Sequence, residues 1–402
     1  MLSLLRKNVG FRRLWLAHAI SRSGDAFNTV AIVVLVFRLT GTGRGVAGAV
    51  MFEVLPVLLI GPVAGLAADK MPRRRLMVGA DLVRAGAAAS LILATTSVPA
   101  VFAVSFILSA AATVFNPAAS SLVPDLVDDE DLITANSALW TVAVIAQIAL
   151  APVAGWVVAG GGGARVAFAV NAATFIVSAI LLVGLHEGRT PATIEMSGWA
   201  GALAGVTTVR ANPLLRRLTV VQILASLSAG ATSGLLVILA KRHLGVGARG
   251  FGVLLAAIGV GAAIGPALLR RFIRPADRRW LFGPYLVRGA VDLTLATVAS
   301  PIIAGTSLVV YGMSTSTGMV AYQTMLQQAV PPETRGRTIA FFDIVWNATR
   351  LVSLAAAAIL ADSVDVRWVY VAAASLLVAA AAIGLTTNFE TGCEPTDTVA
   401  SS

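Results

Sequence analysis

Apolar stretches of about twenty residues, separated by short polar or basic segments, recur along the whole chain. A helix needs about 20 mainly apolar residues to cross the roughly 30 Å hydrocarbon core of a bilayer. A helix also satisfies its backbone hydrogen bonds within one segment, as lipid demands. Stretches of this kind run over 14–37, 46–68, 76–96, 99–122, 135–159, 165–186, 217–240, 250–272, 280–299, 302–329, 338–361 and 367–387. The pattern predicts an all-α membrane protein with twelve transmembrane helices. The ninth stretch is the weakest, because it carries Arg288 and Asp292. The first follows a basic start (Arg6, Lys7, Arg12, Arg13), as a signal peptide would. It is too long and lacks a small-residue cleavage site, so it reads as an uncleaved first helix.

Composition points to lipid as the main solvent. Of 402 residues, 57% are hydrophobic and 12% charged, whereas a soluble domain carries about 25% charged residues. The net charge of +10 lies singly or in short clusters between the apolar runs. That pattern forms no continuous basic face and excludes nucleic acid as a partner. It follows the positive-inside rule instead. With the N-terminus in the cytoplasm, 19 Lys/Arg fall in cytoplasmic segments, 7 in external loops and 4 inside helices. Both termini are therefore expected on the cytoplasmic side of a cell (plasma or inner) membrane. Cys393 is the single cysteine, which excludes a disulfide framework or thiolate metal site. His18, His186 and His243 have no ligand spacing, so neither a metal nor another cofactor is expected.

Part of the pattern repeats. Gly61-Pro62 stands 23 residues before Arg84, and Gly265-Pro266 stands 23 residues before Arg288. Arg74-Arg75 matches Arg278-Arg279, and Leu82-Val83-Arg84 matches Leu286-Val287-Arg288, all at one offset of 204 residues. Val123-Pro124 and Val330-Pro331 each close the fourth helix of a half. Several pairs at nearly one offset imply two parallel, pseudo-symmetric six-helix halves. The expected organisation is a first half over 1–186 and a cytoplasmic linker over 187–216, with an interfacial helix from Gly198 to Val209. A second half over 217–387 and a disordered polar tail over 388–402 complete it.

The stretch Gly61-Pro62-Val63-Ala64-Gly65-Leu66-Ala67-Ala68-Asp69-Lys70-Met71-Pro72-Arg73-Arg74-Arg75 resembles a known signature. It is similar to the loop between the second and third helices of the major facilitator superfamily. Ser21-Arg22-Ser23-Gly24-Asp25, Asn116-Pro117-Ala118, Val123-Pro124-Asp125, Ala135-Asn136 and Pro332-Glu333-Thr334-Arg335-Gly336-Arg337 resemble its bacterial efflux branch. That branch, of the transmembrane secretion effector type, includes macrolide and siderophore exporters. Ala151-Pro152-Val153-Ala154-Gly155 is similar to the helix-5 motif of antiporters, with Ala151 and Trp156 where that motif has glycines. The fourth span has no arginine, whereas many drug–proton antiporters carry one there. The resemblance implies the superfamily's twelve-helix fold and a proton gradient as energy source. It also implies a gate at Gly61, Gly65, Asp69, Arg73, Arg74 and Arg75 that meets the eleventh helix near Thr338. A carboxylate at a helix end suits such a gate, because it can bond to neighbouring arginines and to a helix N-terminus. Arg73 is read as mainly topological.

Charges inside spans cost roughly 2.5–3.5 kcal/mol each on insertion, yet the chain keeps nine. Spacings of three or four place Arg22/Asp25, Asp81/Arg84 and Arg288/Asp292 on shared helix faces. The second and third pairs are expected near the cytoplasmic ends, as structural pairs. Asp343 and Arg350 put one charge of each sign on the eleventh span, and Glu53 has no partner a turn away. Asp25 and Glu53, with Arg22 beside Asp25, are the candidates for proton coupling. Pro152 and Gly155 are expected to kink the fifth helix. Asn28, Asn116, Gln147, Gln222, Tyr322, Gln323, Trp346 and Asn347 are candidates to line a substrate cavity. Each suits interhelical hydrogen bonding equally well.

The expectation is a secondary active transporter, acting as a monomer, that exports a small, moderately hydrophobic molecule such as a drug or secondary metabolite. Its mode would be proton-coupled alternating access. No nucleotide-binding loop and no cluster of nucleophile and base is present, so neither ATP use nor enzymatic chemistry is expected. A proton-coupled uptake symporter, or a non-transporting membrane sensor or assembly partner, remains an alternative.

Overall fold

The computed structural model describes residues 2–160, 163–185, 199–269, 278–330, 332–360 and 363–386. The side chains of 65–70 (Gly65 and Asp69 among them), Gln147 and Gln323 lie outside the described set, as do linker residues 187–198 and the tail from 387. The helices are α1 (Leu2–Lys7), α2 (Val9–Thr40), α3 (Gly43–Lys70), α4 (Arg73–Leu93), α5 (Val98–Leu126), α6 (Leu132–Ala159) and α7 (Gly163–Val183). After them come α8 (Trp199–Ala211), α9 (Pro213–Ile238), α10 (Ala248–Leu269), α11 (Arg278–Thr297), α12 (Pro301–Ala329), α13 (Pro332–Leu360) and α14 (Val366–Leu385). Setting aside the short α1 and α8, the described residues form twelve long helices, which fall on the twelve apolar stretches.

Several helices begin ahead of their apolar stretch, because polar caps start them. Asn8 Oδ1 accepts from Phe11 N at 2.8 Å to open α2, and Asn212 accepts from Leu214 N at 2.9 Å to open α9. Ser97 and Ser300 cap the equivalent helices α5 and α12, each with a proline in the first turn. Proline suits that position because its missing N–H has no helical partner there. Gly41, at φ 64°, closes α2 in the left-handed conformation, its N–H bonding to Phe37 O at 2.9 Å.

Among the described residues, ten helices are long and apolar enough to cross a membrane; α11 and α12 fall short of that measure. Several of their polar groups point inward. Arg288, Asp292, Ser314, Ser316 and Thr317 are all buried. Large apolar side chains such as Leu93, Ile180 and Ile302 face outward over the rest of the bundle, as a lipid-facing surface requires.

Packing repeats between the halves. In the first, α3 packs on α5, α4 on α5 and α7, and α2 on α6 and α7. In the second, α10 packs on α12, α11 on α12 and α14, and α9 on α13 and α14. The halves meet through α3 against α13 and α6 against α10, which are again equivalent pairs. Helix α8, which covers most of the expected interfacial segment, packs against α13.

Close approach of α10 and α12 depends on glycine. A Cβ on Gly312 would overlap the Ile258 carbonyl oxygen, and one on Gly261 would overlap that of Val309. Overpacking of this kind costs about 1–3 kcal/mol. Gly312→Val is expected to lower the melting temperature of the purified protein by several degrees. Gly305→Val, on the same helix but facing open space, is expected to leave it unchanged.

Candidate functional site

A cavity of about 400 Å³ lies between the halves, walled by α2 to α6 on one side and by α13 on the other. Its charged lining is Arg22, Asp25, Glu53, Arg84 and Arg350. Asn28 and Asn347 also line it, and Asn347 donates from Nδ2 to the Asp343 backbone oxygen at 2.9 Å.

Arg84 organises the first-half side of this cavity. Its guanidinium donates to Asp25 Oδ1 at 2.8 Å, to Ser21 Oγ at 3.1 Å and to Asp81 Oδ1 at 3.3 Å. It also sits 3.9 Å from the centre of the Phe175 ring and 6.0 Å from that of Phe115. Asp81 accepts from Ser178 Oγ at 2.5 Å. One buried cation thereby joins α2, α4, α5 and α7. Arg84 and Asp81 are only 4% and 0% exposed, so water supplies little of their solvation.

This geometry extends one sequence expectation and revises another. The i, i+3 spacing predicts Arg22 as the partner of Asp25, and that contact exists, but at 3.6 Å. The shorter one comes from Arg84, 59 residues away. Arg22 itself donates to Asn116 Oδ1 at 3.2 Å and to His18 Nε2 at 3.5 Å. Arg84 also stands eleven residues beyond Arg73, where α4 begins, a rise of about 16 Å. It therefore lies at mid-depth and not near the helix end.

Glu53 has no partner on its own helix, and the opposite charge acting on it is Arg350 from the other half. Just beyond them, Val50 and Val54 of α3 pack on Leu354 of α13. Asp343 and Arg350 do not pair. Asp343 lines a second cavity, of about 190 Å³, within the second half, together with Gln222, Tyr322 and Trp346. Arg288 also lines that cavity, donating to Tyr311 Oη at 3.1 Å with its guanidinium 5.0 Å from the ring centre. The buried Asp292 lies beside Ser228 and a turn from Arg288.

At the signature loop, Arg73 bonds Asp125 at 2.6 Å and the Ser121 carbonyl oxygen at 2.8 Å, tying α4 to α5. Arg74 reaches the Leu185 oxygen at 3.0 Å. Arg75 follows in the same turn. A Cβ on Gly61 would make only an ordinary contact with Thr113, at 3.9 Å. Pro152 and Gly155 lie where α6 meets α10, and a Cβ on Gly155 would press on the Ala248 carbonyl oxygen, 2.5 Å away. Their place is thus at the contact between halves.

Sequence reasoning passed over a set of contacts at the far end of the bundle. There α9 runs into a π-helical turn, Leu239–His243, a distortion that often marks functional sites. Arg242 of this turn donates to the Gly41 carbonyl oxygen at 2.9 Å, and Lys241 lies 5.2 Å from the Phe37 ring centre. Arg249 of α10 lies 4.4 Å from the Trp156 ring. Each contact joins one half to the other. The available signal was three basic residues placed externally against the positive-inside rule.

Comparison with known proteins agrees with this architecture. A family model described as transmembrane secretion effector matches residues 1–401. The uncharacterized MFS-type transporter YfiS of Bacillus subtilis (strain 168) is 24% identical over 394 residues, covering 93% of this chain and 92% of that protein. Macrolide efflux protein A of Streptococcus pyogenes is 29% identical over 126 residues, 30% of this chain and 31% of that protein. Among solved structures, a bacterial homologue of the iron transporter ferroportin in its inward-facing state superposes with a TM-score of 0.75. It is 17% identical, over 93% of this chain and 97% of that one. In its outward-facing state the score is 0.64, at 16% identity over 93% and 98%. The chain therefore belongs to the transmembrane secretion effector family of the major facilitator superfamily, and is a multi-pass membrane transporter.

Proposed function

We propose that this transporter exports a small, moderately hydrophobic molecule from the cytoplasm across the cell membrane, driven by the proton gradient through alternating access of the central cavity. The observation that carries the proposal is the placing of two carboxylates on that cavity, each facing an arginine. Asp25 is bound by Arg84, and Glu53 faces Arg350 from the other half. A carboxylate that exchanges an arginine partner for a proton couples proton binding to a local rearrangement. At Glu53 that rearrangement lies between the halves. Export is favoured by the match to macrolide efflux protein A.

The test begins with accumulation of a compound panel in expressing cells, with and without an uncoupler. Lower accumulation that collapses with uncoupler supports export, and higher accumulation supports uptake. For a compound so identified, Asp25→Asn with Glu53→Gln is expected to reduce gradient-driven flux in proteoliposomes to that of empty vesicles. Unchanged flux in the double variant refutes the coupling role of both residues.

A further inference from the structure

The charges inside the spans do not balance, and the residue left over points to the kind of molecule the site takes. Five acids (Asp25, Glu53, Asp81, Asp292, Asp343) stand against four arginines (Arg22, Arg84, Arg288, Arg350). Arg22 and Arg84 lie with Asp25 and Asp81. Arg350 faces Glu53, and Arg288 and Asp292 offset each other a turn apart. Asp343 remains. Its carboxylate has no hydrogen bond or ion pair among the described residues, and it is exposed at the second-half cavity that it lines.

That cavity is walled by rings. Tyr285, Tyr322, Phe342 and Trp346 line it, with Tyr322 and Phe342 meeting edge to face at 6.0 Å. Its volume of about 190 Å³ compares with the roughly 150 Å³ of an engineered cavity that binds benzene. One ring with a small substituent fits, and a large molecule would place only one group there. Two residues of its wall carry buried hydroxyls, Tyr322 Oη and Thr315 Oγ1, that have no hydrogen-bond partner among the described residues. Arg288 also borders the cavity but is turned onto the Tyr311 ring and answered by Asp292. Aromatic faces with one uncompensated carboxylate form the chemistry that recognises an organic ammonium, through cation–π attraction and charge pairing.

We propose that the second-half cavity is a subsite for an organic cation, in which Asp343 is the counter-ion and Tyr322, Phe342 and Trp346 hold the ammonium group and the apolar body beside it. This deepens the export reading and rests on it for the biological direction of transport, but the binding step stands alone. Its test is direct titration of the purified, detergent-solubilised full chain, read by Trp fluorescence and calorimetry. The probes are benzyltrimethylammonium, its neutral isostere neopentylbenzene, and phenylacetate.

The cation is expected to bind at least about tenfold more tightly than the neutral isostere, and phenylacetate more weakly than either. Asp343→Asn is expected to remove the preference between cation and isostere. Glu53→Gln, in the other cavity, is expected to keep it. Equal affinity of the wild-type chain for cation and isostere overturns the proposal without any variant, as does a preference that survives Asp343→Asn in folded protein. A cation preference without gradient-driven flux leaves the subsite in place and removes the export reading. Gradient-driven flux with charge-blind binding does the reverse.

Discussion

Arg84→Ala is expected to yield no folded transporter. The substitution strands Asp25 and Asp81 beside an empty space lined by Phe175 and Phe115. Removing one partner of a buried ion pair costs about 3–5 kcal/mol, against a total stability of about 5–15 kcal/mol for a typical domain. The loss is read as aggregation on size-exclusion chromatography, or as absence of a cooperative melt. Arg84→Lys keeps the charge but not the planar fork that reaches three acceptors at once, so an intermediate loss is expected. Combining Arg84→Met with Asp25→Asn and Asp81→Asn removes the whole network and is expected to restore much of the fold while transport stays absent. A normal melt for Arg84→Ala would show that α2, α4 and α7 are held together by apolar packing alone.

The second large effect concerns which way the cavity opens. Replacing Lys241, Arg242 and Arg249 together with Ala removes three contacts between the halves at one end of the bundle. A charged hydrogen bond contributes about 1.5–3 kcal/mol, and each exposed cation–π contact about 0.5–1 kcal/mol. A combined loss of about 3 kcal/mol moves a two-state equilibrium about a hundredfold. In a Cys393→Ser background, a cysteine at the cavity residue Val57 reports the change. Its labelling by an impermeant thiol reagent, added from the side of Gly41, is expected to accelerate by about that factor. An unaltered rate would mean that the α3–α13 and α6–α10 packing sets the equilibrium without the cationic contacts.

Hydropathy found the twelve long helices present among the described residues because lipid leaves so few ways to build a span, and the repeat of loop motifs foretold the paired packing of the halves. The least apolar stretches, α11 and α12, were still found because they retain length, even though their polar residues turn inward. Side-chain partners were legible only within one helix. The spacing rule saw Arg22 beside Asp25 but had no means of seeing Arg84, because that contact is set by how α4 leans on α2. Glu53 lacked a partner in sequence for the same reason, since Arg350 comes from the far half. The contacts of Lys241, Arg242 and Arg249 pair cations with rings and a carbonyl oxygen, and so leave no charge complementarity to detect. Asp69, Gln147 and Gln323 have side chains outside the described residues.

The stripe along α13 has a further consequence. Asp343 and Arg350 are seven residues apart, two turns on the same helix face, so opposite charges stand about 10 Å apart along one axis. Trp346 and Asn347 fall between them, and the two cavities are stacked along this helix. Arg350 already faces Glu53, so Asp343 is the charge of this stripe left for a guest. At the proposed subsite the electron-poor end of a bound molecule would turn towards Asp343, and two molecules of equal size and greasiness would be told apart by where they carry positive charge.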